Sequence, residues 1–339
     1  MKANDENRLK ILDCSLRDGA HINGGNFGEK TIRALIKALT NARIDIIEIG
    51  FLKDCNYNPD FTDFSCVSQA FDLLPDASGK TEYALMVRSD WYNIKSLQQF
   101  SGKVKHLRFA FYKSDIETAF DQAQYAREMG YTVHLNPVNT PGYSQVDLEN
   151  ILEKAQVLEP DFFYIVDTFG CLGLSSLQKI ANLYKQFFNS KTSVGVHLHE
   201  NLSMSFALAQ DFIFKTDVPG GKIVDASLLG IGRNPGNLPL ELIVQHLNAF
   251  YNRKYDLYYI LNAIEQEIMP IKRNHAWGYS PEYFLSAINE VHRSYAESLV
   301  EKSKLSLVEM DDIFKTIKIN DMGDTFDPEY LATLVSKKF

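Results

Sequence analysis

Residues 9–21, LKILDCSLRDGAH, set a short apolar run against a polar stop, and the same pattern recurs along the chain. Apolar, β-branched runs separated by helical periodicity mark eight candidate strands: Leu9–Cys14, Ile44–Gly50, Tyr83–Val87, Lys105–Phe111, Tyr131–Asn136, Phe162–Thr168, Ser193–His199 and Lys222–Leu229. Their starts are roughly 20 to 40 residues apart, the length of a strand–helix unit with its loops. Between them, Ile32, Leu35, Ile36 and Leu39, and later Leu240, Ile243, Val244 and Leu247, keep the i, i+3, i+4, i+7 spacing of a helix with one buried face. Strands alternating with helices imply a parallel sheet with helices outside. Eight such units in about 250 residues predict an α/β fold of the (β/α)8 type, a TIM barrel. A doubly wound open sheet usually shows fewer strands and a Gly-rich first turn.

After about Asn252 the strand signal stops. Ser280-Pro281 reads as an N-cap followed by Pro at the first helical position, and Phe284, Ile288, Val291, Tyr295 and Leu299 form one apolar stripe. The expected organisation is a barrel domain over 1–265 and a small C-terminal helical domain over 266–339.

The composition sets outer bounds. The 339 residues are 45% hydrophobic and 23% charged, as in an ordinary globular protein rather than a disordered tail. Lys plus Arg number 35 against 43 Asp plus Glu, a formal net charge of -8, which argues against nucleic acid and anionic membrane surfaces as partners. Cys14, Cys55, Cys66 and Cys171 are far apart without a CxxC pair, against a zinc ribbon or a disulfide framework. The polar start, MKANDENRLK, lacks the apolar stretch of a secretory signal, and no apolar run approaches the ~20 residues of a membrane span. A cytoplasmic setting is expected.

In a barrel of this kind catalytic groups sit at the C-terminal ends of the strands, and ionisable residues collect there. The first strand ends in Asp13-Cys14-Ser15-Leu16-Arg17-Asp18-Gly19, with His21 beyond; the second carries Glu48; the fifth carries His134 and Asn136; the sixth ends in Asp167-Thr168; the seventh in His197-Leu198-His199-Glu200-Asn201. The eighth ends in Asp225-Ala226-Ser227 and runs into a Gly-rich turn that lacks the Lys and Ser/Thr of a P-loop; it reads as a structural turn positioning Asn237. His197 and His199 are two apart on a strand, so their side chains share a face and both imidazoles reach one metal. Asp18 is the natural third ligand, because the first strand closes beside the eighth. Two His and one carboxylate leave open positions for water or substrate. An isolated HxH is a weak signal; the strand-end placement strengthens it.

Arg17 and Asp18, adjacent on an extended chain, are expected to point opposite ways, Asp18 toward the metal and Arg17 toward an oxyanion. Glu48 lies in an apolar strand and needs a partner, which Arg17 supplies; a purely structural ion pair would need the same contact. Asn136 and Asp167 are candidates for substrate contact or for strand-end hydrogen bonding. His134 reads as a satisfied core histidine, and Cys14 and Cys171 as packing residues.

Three motifs in order then match a known group. LDCSLRDGAH at 12–21 resembles the first-strand motif of the DRE-TIM metallolyases, the HMG-CoA lyase-like superfamily; Glu48 in IIEIGF resembles its acidic residue, and HLHEN at 197–201 its metal-binding HxH. Within the group, His21 just after Arg-Asp-Gly, the stretch GVHLHENLSMSFALA, and VDASLLGIGRNPGNLPLE from Val224 to Glu241 resemble the 4-hydroxy-2-oxovalerate aldolases. The resemblance implies a divalent metal, Mn2+ or Mg2+, on Asp18, His197 and His199, and a 2-oxo acid such as pyruvate chelating it. It implies an aldolase, a carbon–carbon lyase of the class II pyruvate type, with an aldehyde as second reactant. Arg17, His21 and Glu48 then carry the catalytic roles, and Arg17, Asn136, Asp167 and Asn201 contact substrate. A metal on the keto oxygen would spread the charge of a pyruvate enolate, Arg17 would add a fixed positive donor, and His21 would take the C4 hydroxyl proton.

The sequence departs from those aldolases in Ile22-Asn23-Gly24-Gly25-Asn26-Phe27, where the glycines reshape the mouth, and in the C-terminal tyrosine, whose position falls near Asn289. Lys318–Phe339 does not resemble the group's dehydrogenase-docking end, which argues against a channelling complex, while a homo-oligomer is compatible with the sequence. Two other readings share these residues. One is a Claisen-type synthase joining an acyl-CoA to a 2-oxo acid; the other is a non-catalytic barrel used as a binding module.

Overall fold

The structure is a computed structural model that describes residues 8–76, 79–302 and 305–338; the polar start, residues 1–7, and Phe339 lie outside them. Strands β1 (Leu9–Asp13), β2 (Ile46–Leu52), β3 (Glu82–Arg88), β4 (Val104–Phe111), β5 (Thr132–Pro137), β6 (Phe162–Asp167), β7 (Ser193–Leu198) and β8 (Lys222–Ala226) pair in parallel in sequence order. The ring closes where Leu9–Asp13 register with Lys222–Ala226 on one side and Leu12 and Asp13 with Ile46 and Ile47 on the other. With helices between the strands this is the expected TIM barrel. A two-residue strand, Asp63–Phe64, adds to the edge of β2 and was not expected.

The pattern that makes each strand amphipathic runs opposite to intuition. In β4 the apolar Leu107, Phe109 and Phe111 belong to the main core between sheet and helices, while His106 and Arg108 alternate onto the barrel axis. The axis also takes Leu12, Ile46, Ala84, Phe162, Tyr164, Val166 and Ile223, which form their own buried cluster. At its lower end His106 Nδ1 meets His134 Nε2 at 2.9 Å, and His106 Nε2 meets Glu82 Oε2 at 3.1 Å. Gly195 sits on this face because the Tyr164 ring fills its side-chain space: a Cβ there would lie 2.5 Å from Tyr164 Cε1.

Several boundaries differ from the sequence reading. β8 stops at Ala226 and a 3-10 turn, Leu228–Gly230, follows. β7 stops at Leu198, and His199 continues as a bridge to Asn237. Between Glu48 and Phe51 the β2 register shifts at Gly50, whose φ is +150° and whose Cβ would lie 1.9 Å from the Thr62 carbonyl oxygen. That shift leaves Phe51 facing the barrel mouth.

The C-terminal apolar stripe is not one helix. Helix Pro281–Ile288 ends, Glu290 takes a left-handed turn at φ +54°, and a second helix runs Ser294–Lys302. The turn puts Val291, Tyr295 and Leu299 into a small core with Met310, Ile313 and Phe314, and leaves Ile288 exposed. Ile260, Ile268 and Trp277 pack instead with the barrel core, and the separate apolar cluster begins at Val291. Among the described residues, no helix is long and apolar enough to cross a membrane.

Candidate active site

β1 ends in a helical turn that shapes the site. The buried Asp13 carboxylate accepts from the Ser15 backbone N–H at 3.0 Å and from its hydroxyl at 2.8 Å, and Ser15–Asp18 coil into one turn. Arg17 and Asp18 are therefore not extended, and the expectation that they point apart fails: Arg17 Nη1 donates to Asp18 Oδ1 at 2.6 Å. Arg17 Nε donates to Glu48 Oε2 at 2.7 Å, so one guanidinium bridges two buried carboxylates. Asn237 Nδ2 donates to Asp18 Oδ2 at 2.6 Å, and a Cβ on Gly232 would lie 2.6 Å from the same oxygen. The Gly-rich turn after β8 thus needs glycine to let its backbone pass over Asp18.

Asp18, His197 and His199, all buried, bring one ligand atom each within 4.8 Å of one another. His197 Nδ1 is tied to Asp225 Oδ2 at 3.0 Å, which leaves Nε2 facing Asp18 Oδ2 at 4.0 Å. His199 Nδ1 is buried with no hydrogen-bond partner. An orphaned imidazole nitrogen beside a carboxylate and a second, oriented imidazole is the donor set of a divalent cation site. Burial raises the Asp18 pKa, but the Arg17 guanidinium and the His199 and His197 imidazoles outweigh it and hold Asp18 well below the usual carboxylate range. Burial lowers His199 to about 3, against Asp18 and with His197, Arg233 and Arg293. Both groups are in the protonation state a metal needs.

Arg108, absent from the candidates read from the sequence, is the largest fully buried side chain. It donates to Glu48 Oε2 at 2.8 Å, Asn136 Oδ1 at 3.1 Å and Asp225 Oδ2 at 2.5 Å, and lies over the Tyr164 ring at 4.7 Å. Asp225 was noted only as a strand end; it links Arg108 to His197. The readable signal was parity, since Arg108 shares a face with His106 and opposes Leu107 and Phe109.

The triad opens into a cavity of about 80 Å³ that Arg17, His21, Asn136, Phe51 and Trp91 also line. Asn136 Nδ2 is buried there without a partner, so it keeps a donor for a ligand. His21 stands at the rim, its Nε2 3.8 Å from Asp18 Oδ1 and 3.3 Å from Arg233 Nη2. Loss of solvent around the ring, and then the Arg233 charge, push its pKa well below the ordinary imidazole value.

Two candidates face elsewhere. Val166 and Thr168 line the cavity, so Asp167 between them points outward, where its carboxylate accepts the backbone N–H of Cys171 at 2.9 Å and of Leu172 at 3.2 Å. Asn201 donates to the Tyr283 carbonyl at 3.2 Å and joins the barrel to the C-terminal helices. Both are engaged in hydrogen bonds within the fold, and neither lines the cavity. Asn289 likewise bonds Leu285 and Asp311, but another tyrosine, Tyr283, lines the chamber beyond His21. Cys14 is buried and its thiol pKa is pushed well up by burial, as fits a packing residue.

The family profile described as HMGL-like matches residues 8–266. The chain is 24% identical over 278 residues to a 4-hydroxy-2-oxovalerate aldolase of Bacillus thuringiensis (strain Al Hakam), covering 80% of this chain and 79% of that protein. Among solved structures it is similar to the N-terminal domain of a putative aldolase from Bacteroides vulgatus, with TM-score 0.76 and 25% identity, covering 88% of this chain and 99% of that one. It also shares its fold with the HMG-CoA lyase from Brucella melitensis, with TM-score 0.61 and 14% identity, over 75% of this chain and 95% of that one. With the profile spanning the whole barrel and the strand-end motifs gathered around one cavity, the chain belongs to the HMGL-like family.

Proposed function

We propose that the protein is a divalent-metal-dependent aldolase that forms or cleaves a 4-hydroxy-2-oxo acid from a 2-oxo acid, pyruvate, and an aldehyde. The observation that carries this reading is the gathering of Asp18, His197 and His199 in one cavity with Arg17 and His21. The name of the Bacillus relative supports it. A cation on those three residues would act as a Lewis acid toward the keto oxygen of the 2-oxo acid. Arg17, locked by Glu48 and Asp18, keeps N–H donors for the same developing oxyanion at no cost of reorganisation. The Asn136 amide offers a further donor. Arg233 donating to His21 Nε2 sets the tautomer with the proton on Nδ1 and the lone pair on Nε2; a substrate C4 hydroxyl that displaces this long contact would give its proton to Nε2 in cleavage and recover it in synthesis.

The test is exchange of the pyruvate methyl protons with deuterated water, followed by NMR. With Mn2+ the protein is expected to catalyse exchange, and chelation or His199→Ala is expected to stop it. Exchange that survives either change overturns the metal-enolate reading. His21→Ala is expected to slow retro-aldol cleavage by 10²-fold or more and to slow exchange far less; equal losses would remove His21 from the proton-transfer role. Release of free CoA from acetyl-CoA and a 2-oxo acid would move the assignment to a Claisen-type synthase.

A further inference from the structure

A second chamber of about 650 Å³ lies against the first and is lined by His21, Asn234, Tyr283, Arg293, Ser294 and Glu297. His21 lines both chambers, so it marks the joint between them. The inner chamber suits a three-carbon oxo acid; the outer falls in the size range of ordinary small-molecule sites, with more room than a two-carbon aldehyde uses.

Two arginines at this joint are under-paired. Arg293 is 9% exposed and its Nε is buried without a hydrogen-bond partner; its Nη1 bonds Glu297. Arg233 Nε is also buried and unpartnered, and among the described residues no carboxylate lies within ion-pair distance of Arg233. Both charges act on the same groups, lowering His199 and His292, the latter to about 3, with burial the larger cause. Burial, and then the Arg233 charge, bring Arg293 down to about 10. The nearby acids are committed: Asp18 and Glu48 to Arg17, Asp225 to Arg108, Glu297 to Arg293. By count these four carboxylates balance Arg17, Arg108, Arg233 and Arg293, so the imbalance is local: Arg233, partly exposed, is the arginine of the four without a carboxylate partner, and an anion beside it would supply one.

The position decides which reactant brings the anion. On the aldolase reading, on which this inference rests, the 2-oxo acid lies at Asp18, His197 and His199, and His21 serves the hydroxyl of the carbon–carbon bond being made. Arg293, in the wall of the outer chamber, then faces the aldehyde half, and Arg233, in the wall of the inner one and bonded to His21 Nε2, stands at the boundary. We propose that the acceptor aldehyde carries an oxyanion, carboxylate or phosphate, held at the joint between the chambers by Arg233, which lines the inner one, and Arg293, which lines the outer one. The anion takes no part in bond making: C3 of the pyruvate enolate bonds to the aldehyde carbon, and the aldehyde oxygen takes a proton from His21.

Matched aldehyde pairs test this with the wild-type protein, Mn2+ and pyruvate: succinic semialdehyde against pentanal, and glyceraldehyde 3-phosphate against glyceraldehyde. In at least one pair kcat/KM is expected to be tenfold or more higher for the charged member, and the two pairs separate carboxylate from phosphate. Arg293→Met is expected to bring that ratio toward one, mainly through the KM of the charged aldehyde; Arg233→Met, which also releases His21, is expected to slow both members of a pair and still bring their ratio toward one. The wild-type comparison stands even if a variant fails to fold. Neutral aldehydes served as well as charged ones, or a preference that survives both substitutions, overturns the proposal. So does a variant that raises the KM of pyruvate while leaving the aldehyde ratio intact, since the arginines would then hold the donor. Methyl-proton exchange in the wild type separates the two levels: exchange without a charge preference overturns this inference alone, and no exchange overturns the aldolase reading with it.

Discussion

Asp225 accepts from Arg108 and from His197 Nδ1 at once, and this double contact explains how one imidazole is readied for a metal. Burial disfavours its charge, yet Arg108 and His197 hold its pKa below the usual range, so it stays an acceptor. Held this way, His197 keeps its proton on Nδ1 and its lone pair on Nε2. Asp225→Asn keeps the shape but weakens the acceptor, and is expected to reduce Mn2+ affinity by roughly 10- to 100-fold, measured by calorimetric titration; unchanged affinity would show that Asp225 serves only Arg108. The visibility of such residues in sequence followed their chemistry. Asp18, His197 and His199 stood out because ligating side chains clustered at strand ends. Arg108 was hidden because an arginine in a strand ordinarily reads as a solvated face, and Arg293 because it lies in a turn that the helical stripe ran across.

At the scale of the element, the strands carry two opposite faces, and the inner one mixes polar side chains with a small apolar cluster. That is why the eight apolar runs were legible: their outward residues pack against helices and keep the period. The break after Ile288 was not legible, because the turn at Glu290 keeps the same residues apolar while changing the direction of the chain. Glu82, on the inner edge of β3, shows how these polar contacts feed into stability. The hydrogen bond to His106, and then that to Lys105, outweigh burial and hold its carboxylate well below the ordinary glutamate range. A carboxyl with a depressed folded pKa contributes stability above its unfolded pKa and loses it as pH falls toward the folded one. Glu82→Gln is expected to cost on the order of 1 kcal/mol, the group being a quarter exposed. In thermal melts the gap from wild type should be full above pH 4.5 and shrink steadily as the pH drops. A gap that widens with acid would contradict this account.

For the whole molecule, the ligands come from the turn after β1 and from the end of β7, residues about 180 apart in the chain that meet only once the barrel is closed through β8. A cation held there bridges the first and third quarters of the sequence, and it binds the folded state alone. Linkage then requires that Mn2+ at 100 times its dissociation constant stabilise the fold by about 2.7 kcal/mol. The melting temperature is expected to fall on chelation and to recover with added Mn2+. His199→Ala should remove most of that response, and a metal response of equal size in His199→Ala would place the cation elsewhere.

Trp91 lies in the wall of the inner chamber, tilted against Phe51, which in turn meets the His21 ring edge-on, with the Arg88 guanidinium over the Trp91 ring. The chain's other indole, Trp277, is buried behind the loop after β8 and hydrogen-bonded to Leu229. One of the two tryptophans therefore reports on the reaction chamber and the other on the scaffold. Emission that shifts when pyruvate enters, and no longer does so in Trp91→Phe, would give an optical gauge of occupancy without any label.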